Sequence, residues 1–375
     1  MGEPLEDADH SDIALPPPQS TYKSAQPDPT SAFSAEELWQ LRKRLRLEPL
    51  EGDLARVQRL LMKELTGRDR FLDTVTSHLA AAGGKRIRPV LVLCGAYAAQ
   101  QGPVLEPAPE DAIAAAAAVE ALHLCTLYHD DVIDDAELRR GVPSANARWD
   151  NTVAVIGGDI LLARAFRLSA SIGAAQVRQL AQALEELCAG QASELSSLYD
   201  PDRDEAAYEY AIAGKTASLM AASLHLGGLA SGLVPADLEC LSAAGHELGL
   251  AFQLVDDLLD ILGSAASTGK PACGADIAAG VYTLPVILEL RINARLRAVL
   301  GSPPSAAETE EARQLVMAGD GPAITARRAR DHVERALTML TRSDLHPAVK
   351  QAIGQVGDLI FEPIRSLQPG VLPIR

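Results

Sequence analysis

The chain is short of aromatic residues, of cysteine and of positive charge. Aromatics make up 4 % of its 375 residues while Ala and Leu dominate, so the core is expected to be helical and aliphatic. The five cysteines (Cys94, Cys125, Cys188, Cys240 and Cys273) form no CxxC pair and no pairing pattern, and the N-terminus has no signal-peptide layout. They read as reduced thiols of a cytoplasmic protein. With 34 basic against 50 acidic residues the net charge is −16, which argues against a nucleic acid held by phosphate contacts. A phosphorylated small molecule stays compatible, because a bound cation can reverse the local sign. No window of about 18 apolar residues is free of charge or breakers, so no spanning helix is expected.

What is present is helical periodicity. Residues 1–33 are rich in Pro, Ser, Asp and Glu and read as a disordered tail. Beyond them nearly every segment repeats its apolar residues at helical spacing, and no stretch alternates convincingly as a strand. The spacing predicts helices over 35–46, 53–65, 69–82, 87–99, 110–135, 151–171, 174–199, 204–213, 216–230, 236–262 and 283–299. Two or three more are expected between 307 and 363. Ser34 with Glu37 three residues on would cap the first. Breaks are expected at 101–110, 200–204, 263–276 and 301–306. No internal linker marks a boundary, so residues 34–375 are expected to form one all-α domain, a large helical bundle around a central deep cavity.

The stretch LYHDDVIDDAELRRG (127–141) gathers Asp130, Asp131, Asp134 and Asp135 at the end of an apolar, alanine-rich segment. Acids at i, i+1 and i+4 recur in DDLLD, where Asp256, Asp257 and Asp260 follow LGLAFQLV. Residues four apart share a helix face, so Asp130 lies over Asp134 and Asp256 over Asp260. Like charges so placed repel by roughly 0.2–0.5 kcal/mol. Each cluster also ends its helix, where the dipole disfavours anions. Two such penalties point to a counter-ion. Oxygen ligands without His or Cys suit a hard cation, and Mg²⁺ in particular is held by one or two carboxylates, waters and substrate phosphates. A solvated acidic helix end usually explains a lone charge run. Here it would have to apply twice, each time inside apolar sequence. An EF-hand fits badly, since no glycine or terminal glutamate falls at the loop positions it needs.

Basic residues supply the complement. GGKRIRP (83–89) places Lys85, Arg86 and Arg88 at the start of an apolar helix, with Pro89 near its first turn. Arg139 and Arg140 follow the first acids, Lys215 sits in AGKTASL at a predicted helix start, and Lys270 sits in TGKP beyond the second acids. Basic groups in glycine-containing loops and at helix N-termini suit phosphate. Each alone is ordinary surface chemistry; together with two acid clusters they describe a site for diphosphates.

In that order and spacing, GGKRIRP, DDVIDDAELRRG, GKT, FQLVDDLLD and GKPACGAD…TLP resemble the trans-polyprenyl diphosphate synthases, over residues 50 to 295 or so. RRGVPSANARWDN and GVYTLP are most similar to bacterial, actinobacterial-type long-chain members. The resemblance implies the all-α isoprenoid synthase fold and two or three Mg²⁺ ions, held by Asp130 and Asp134 from one wall and Asp256 from the other. Asp131, Asp257 and Asp260 would orient them or hold waters. Arg139, Lys215 and Lys270 would neutralise the diphosphate of an allylic substrate, with Gln253, Thr216 and Lys215 lining the cation it leaves. Lys85, Arg88, His123 and Arg140 would hold isopentenyl diphosphate. No protein nucleophile is needed, and no convincing Ser-His-Asp or Cys-His arrangement occurs. The family's usual state is a homodimer, and a peripheral membrane contact for product release is compatible with it.

A single His on an apolar helix is more often a hydrogen-bonded core residue than a ligand; His123, two turns before Asp130, falls where the family has a diphosphate contact. His129 reads as structural, Arg86 and Asp135 as supporting or solvated. One departure stands out: where the family commonly has a lysine after the loop glycine before TLP, this chain has Val281 after Gly280. Similar loops are at home in active long-chain relatives, so the departure bears on allylic binding geometry rather than on catalysis.

Below Asp130 the helix wall is small. Thr126 and Cys125 leave out the usual bulky aromatic, and Leu122, Val119 and the run Ala114–Ala118 follow. At about 1.5 Å per residue those alanines lie roughly 18–24 Å below the acids, which leaves room for a product longer than C20, of about C30 to C50. Close helix packing explains the same alanines nearly as well. A C20 product, a class I terpene cyclase and a non-catalytic subunit are the alternatives. A cyclase would carry a different second metal motif and would not need GGKRIRP, and such subunits lose aspartates that are complete here.

Overall fold

The computed structural model describes residues 43–67, 69–263, 273–341 and 343–367. The tail at 1–33, the predicted first helix apart from a last turn at 43–45, and Lys270 lie outside the described residues. The helices are α1 (Leu50–Leu65), α2 (Arg70–Ala81), α3 (Ile87–Ala98), α4 (Glu110–Ile133), a short α5 (Ala145–Arg148), α6 (Asn151–Ile172), α7 (Ala174–Ser196) and α8 (Glu205–Ile212). A π-helical turn, Ala213–Ala217, joins α8 to α9 (Ser218–Ala230). Then come α10 (Pro235–Leu262), α11 (Ala275–Ala278), α12 (Leu284–Leu290), α13 (Ala294–Val299), α14 (Ala306–Met317), α15 (Gly321–Thr341) and α16 (Pro347–Leu367). Among the described residues the strands are one antiparallel pair of two residues each, β1 (Leu138–Arg139) and β2 (Val142–Pro143).

Local chemistry sets the helix starts. The side chains of Asp69, Asp150 and Asp204 accept the first free N–H groups of α2, α6 and α8, and Ser305 with Glu308 forms a reciprocal capping box on α14. The buried side chains form one aliphatic cluster running from Leu45 to Ile364. α4 is apolar on every face because it is enclosed on every face, by α1, α3, α6 and α9. It is long and apolar enough to cross a membrane by length and composition, but 78 % of its most apolar window is buried inside the protein. It is a core helix. α9 packs against α3, α4, α7 and α10, and so touches both aspartate-bearing helices, α4 and α10.

Several boundaries differ from the spacing's prediction: α1 begins at Leu50 rather than 53 and α7 ends at Ser196 rather than 199. α4 ends at Ile133 rather than 135, because Asp134 is its C-cap and Asp135 turns left-handed at φ +48°. The helix expected over 283–299 is two, since the Asn293 side chain caps a new start by accepting the Arg295 and Leu296 N–H groups. The helices expected at 204–213 and 216–230 are joined through the π-turn.

Candidate active site

α4 presents the first acids at its end. Asp134, as C-cap, donates its N–H to the Asp130 carbonyl at 2.8 Å. Burial pushes the half-buried Asp130 carboxyl up to about 6; Lys215 opposes the shift and Asp134 reinforces it. The Asp134 carboxyl is raised too, desolvation outweighing Lys215. Asp131 is fully enclosed: its Oδ1 accepts from Arg139 Nε and Nη2, both at 2.6 Å, while its Oδ2 is buried without a hydrogen-bond partner.

The second acids sit at the end of α10. Asp256 is half-buried. Asp257, 2 % exposed, accepts the Tyr208 hydroxyl on Oδ2 and Gln253 Nε2 on Oδ1 at 2.8 Å. Burial drives its carboxyl up to about 7 although both hydrogen bonds favour the ionised form. Asp260 accepts the backbone N–H groups of Ala275 and Asp276 at 3.1 and 3.2 Å and so pins the start of α11. Thr216 donates to Gln253 Oε1 at 2.7 Å.

The π-turn places Lys215 in the field of the first acids, Asp130 and Asp134. A Cβ on Gly190 of α7 would lie 2.5 Å from the Lys215 backbone nitrogen, and one on Gly249 of α10 would lie 2.5 Å from Ala217 Cα. Both glycines are needed for that close approach, and the turn is wedged between α7 and α10. Lys215 is therefore in mid-rod, not at a helix start as its sequence context predicts. Such π-bulges are frequent at functional sites. Lys215 Nζ bonds Glu194 Oε1 at 2.6 Å. Burial works against its charge, but Glu194, Asp130 and Asp134 together raise its pKa. Glu194 also acts on Asp134 and Asp257, so the Lys215–Glu194 pair links the two walls electrostatically.

Among the described residues no three Asp, Glu, His or Cys side chains converge into a ready-made metal cage. The donors present are carboxylate oxygens, one or two per wall, including a buried carboxyl that is costly to ionise alone and an orphaned Asp131 oxygen. That set fits a hard divalent cation that brings waters and phosphate oxygens as its remaining ligands.

The raised Asp257 carboxyl has a consequence for stability. An acid whose folded pKa is about 7 against an ordinary 3.8 favours the fold fully below about pH 4 and loses that contribution as pH rises through 7. Urea titrations of the ligand-free protein are expected to show stability falling more steeply between those limits in wild type than in Asp257→Asn. Parallel slopes would contradict the burial of this charge.

The basic residues gather at the start of α3. Arg88 Nη1 lies 3.2 Å from His123 Nε2; a guanidinium can only donate, so Nε2 is the acceptor and Nδ1 carries the proton. Burial and the charges of Arg88, Arg140, Arg86 and Arg139 hold His123 well below its ordinary pKa, and hence neutral. Burial pulls Arg88 down to about 10, with Glu120 and Asp130 supporting its charge. Arg140, left-handed at φ +54°, donates Nη1 to the Leu79 and Gly83 carbonyls. Its guanidinium lies flat on Gly84, where φ is +133° and a Cβ would meet Arg140 Cζ at 2.9 Å. Arg86, also left-handed, is buried against Glu120 and the Ala80 carbonyl.

Not every expected residue joins this constellation. Lys85 is exposed and lies in the field of Glu362 on α16. Arg139 is paired with Asp131, and its charge still acts on Asp130, Asp134 and His123. His129 is packed on Gly158, 3.8 Å from Cys125 Sγ, in a structural setting. Cys125, Leu122 and Ala118 are at most 1 % exposed, and Thr126 bonds the His123 carbonyl within its own helix. Ala115 to Ala118 are enclosed on all sides, as close packing requires. A cavity of about 800 Å³ lies elsewhere, among Leu250, Leu254, Leu284, Arg328 and His332, and meets the site at Tyr208. Three site residues escaped the sequence reading. Glu120 had a signal, a lone acid inside AAAAAVEALHL; Glu194 and Tyr208 had none beyond their residue type.

A family model described as polyprenyl synthetase matches residues 69–316. Nonaprenyl diphosphate synthase of Mycobacterium tuberculosis is 41 % identical over 279 residues, 73 % of this chain and 82 % of the relative. Heptaprenyl diphosphate synthase component 2 of Geobacillus stearothermophilus is 40 % identical over 67 % of this chain and 77 % of its own length. Among solved structures, a decaprenyl diphosphate synthase from Rhodobacter capsulatus superimposes with a TM-score of 0.77 at 31 % identity, over 88 % of this chain and 99 % of that one. A Caulobacter crescentus polyprenyl synthase complexed with calcium and isoprenyl diphosphate gives 0.77 at 30 % identity, over 88 % and 98 %. The chain belongs to the polyprenyl synthetase family and has its all-α isoprenoid synthase fold. It is a trans-prenyltransferase.

Proposed function

We propose that this prenyltransferase condenses isopentenyl diphosphate with an allylic prenyl diphosphate, releases pyrophosphate and builds a trans-polyprenyl diphosphate longer than C20. The observation that carries this reading is the adjacency of two anion-binding settings. Asp130 of the carboxylate wall and His123, which lies 3.2 Å from Arg88, are both on α4, about two turns apart. Asp130 and Asp134 on one side and Asp256 on the other would hold Mg²⁺, two or three ions counting those the diphosphate brings. Bound Mg²⁺ supplies Lewis-acid stabilisation of the diphosphate leaving group. Lys215 adds positive charge where the C–O bond of the allylic substrate breaks. Gln253 and Thr216 line the resulting cation. Arg88 and Arg140, with neutral His123 fixing the Arg88 guanidinium, hold the second diphosphate. Its double bond attacks the cation and forms the new C–C bond. Loss of a proton to the departing pyrophosphate then restores a double bond.

The names of the relatives, nonaprenyl, heptaprenyl and octaprenyl diphosphate synthases, favour a long product over C20. Thr126, one helical turn below Asp130, would form a wall of the chain path, whereas the enclosed Ala115 to Ala118 serve packing. Thr126→Phe is expected to shorten the product by several isoprene units in mass spectra; an unchanged length would remove this wall from the chain path. Residues 34–375 working as one unit, a cytoplasmic location and a homodimer complete the proposal. The exposed apolar Val155 and Ile156 of α6 support the dimer.

The test is pyrophosphate release with Mg²⁺. Release that needs both substrates supports elongation; release from the allylic substrate alone would indicate a cyclase. Gly84→Ala is expected to raise KM for isopentenyl diphosphate about tenfold by displacing Arg140, since misplacing a positioning group by about 1 Å can cost more than that. An unchanged KM would separate Arg140 from this pocket.

A further inference from the structure

Arg203, in the loop between α7 and α8, is 6 % exposed and underused. Its Nη1 donates to the Tyr282 carbonyl at 3.1 Å, while Nε and Nη2 are buried without a hydrogen-bond partner. Buried donors left so cost about 1–3 kcal/mol, and an arginine kept at that cost needs a use. The guanidinium carbon lies 5.7 Å from the centre of the Tyr208 ring, within cation–π range. Tyr208 donates its hydroxyl to Asp257, which also accepts from Gln253, which accepts from Thr216. A cation on a phenol face draws charge from the ring and strengthens its O–H as a donor.

The same loop braces the segment before α12. Tyr199, at φ +57°, donates its N–H to the Gly280 carbonyl at 2.8 Å. Its ring covers Gly280 so closely that a Cβ there would come within 2.6 Å. Arg203 therefore fastens two things at once: the ring that holds Asp257 and the loop at Tyr282.

We propose that Arg203 is a positioning residue for the condensation: through the Tyr208 ring it fixes Asp257, and with it the end of α10 that carries Asp256. This role rests on the prenyltransferase reading above. Arg203 touches no substrate; it acts through Tyr208.

The experiment is a double-mutant cycle with Arg203→Met and Tyr208→Phe, run with isopentenyl diphosphate and an allylic primer. No turnover by the wild type would overturn the prenyltransferase reading, and this role with it; an active wild type separates the two. Each single variant is expected to lower kcat about tenfold, and the double variant to fall less than about twofold below Tyr208→Phe alone. KM for isopentenyl diphosphate, bound around Arg88, is expected to move less than about twofold. Calorimetric Kd values for inorganic pyrophosphate with Mg²⁺ are expected to show the same non-additive pattern, independently of turnover. Arg203→Lys keeps the charge without the planar face and takes the place of the Met variant should that one fail to fold; it is expected to lose about threefold in kcat. Fully additive losses, wild-type kcat in both Arg203 variants, or a matching rise in KM for isopentenyl diphosphate would overturn the role.

Discussion

Asp130→Ala is expected to fold as the wild type does and to lose about 10²–10³-fold or more in kcat, the scale on which removing one preorganised electrostatic group acts. The fold should survive because the Asp130 carboxyl is a burden on the ligand-free protein. Burial raises its pKa to about 6, and its neighbour Asp134 adds repulsion. Activity should not survive, since Asp130 lies within the field of both Lys215 and Arg88. Asp131→Ala makes an informative contrast. It removes the acceptor of Arg139 and leaves a half-buried guanidinium unpaired, so it should cost stability as well as rate. Thermal unfolding and pyrophosphate release, measured on both variants, separate the two outcomes. Turnover by Asp130→Ala near that of the wild type would refute the assignment of this carboxylate.

The second large effect falls on stability. Glu120 is 2 % exposed, pairs with the buried Arg86, and lies 3.7 Å from Arg140. It also supports the charge of Arg88. Glu120→Ala leaves these cations buried with their shared counter-ion gone, and breaking a buried pair this way costs about 3–5 kcal/mol. Chemical denaturation should show that loss, and KM for isopentenyl diphosphate should rise as Arg88 and Arg140 shift. Replacing both partners, Glu120→Met with Arg86→Met, should recover most of the stability, because well-packed apolar groups substitute for a buried pair. It should not recover KM, since Arg140 remains without its carboxylate partner. Equal stability in wild type and Glu120→Ala would contradict the role of Glu120 as anchor of the pocket.

The helices and the acids were legible in the sequence because both depend on near neighbours. The i, i+1, i+4 spacing of DDVID and DDLLD is a property of one helix, and so is its position at the C-terminal end. The small face below Asp130 was legible as composition, although Ala115 to Ala118 are enclosed and serve packing at least as much as any passage. Partners distant in the chain were not legible. Glu120 meets Arg86 across 34 residues, Tyr208 meets Asp257 across 49, and Lys215 meets Glu194 across 21. Lys85 shows the same limit from the other direction: it is basic and close to a motif, but it is exposed and in the field of Glu362. The π-turn escaped because Gly214, which spacing reads as a break between helices, is a close contact with Gly190.

The most direct measurement is the mass of the product formed from isopentenyl diphosphate, an allylic primer and Mg²⁺. A prenyl diphosphate extended by successive five-carbon units beyond C20 is the predicted result. A cyclised hydrocarbon, or a well-folded protein that adds no unit to the primer, would contradict the account.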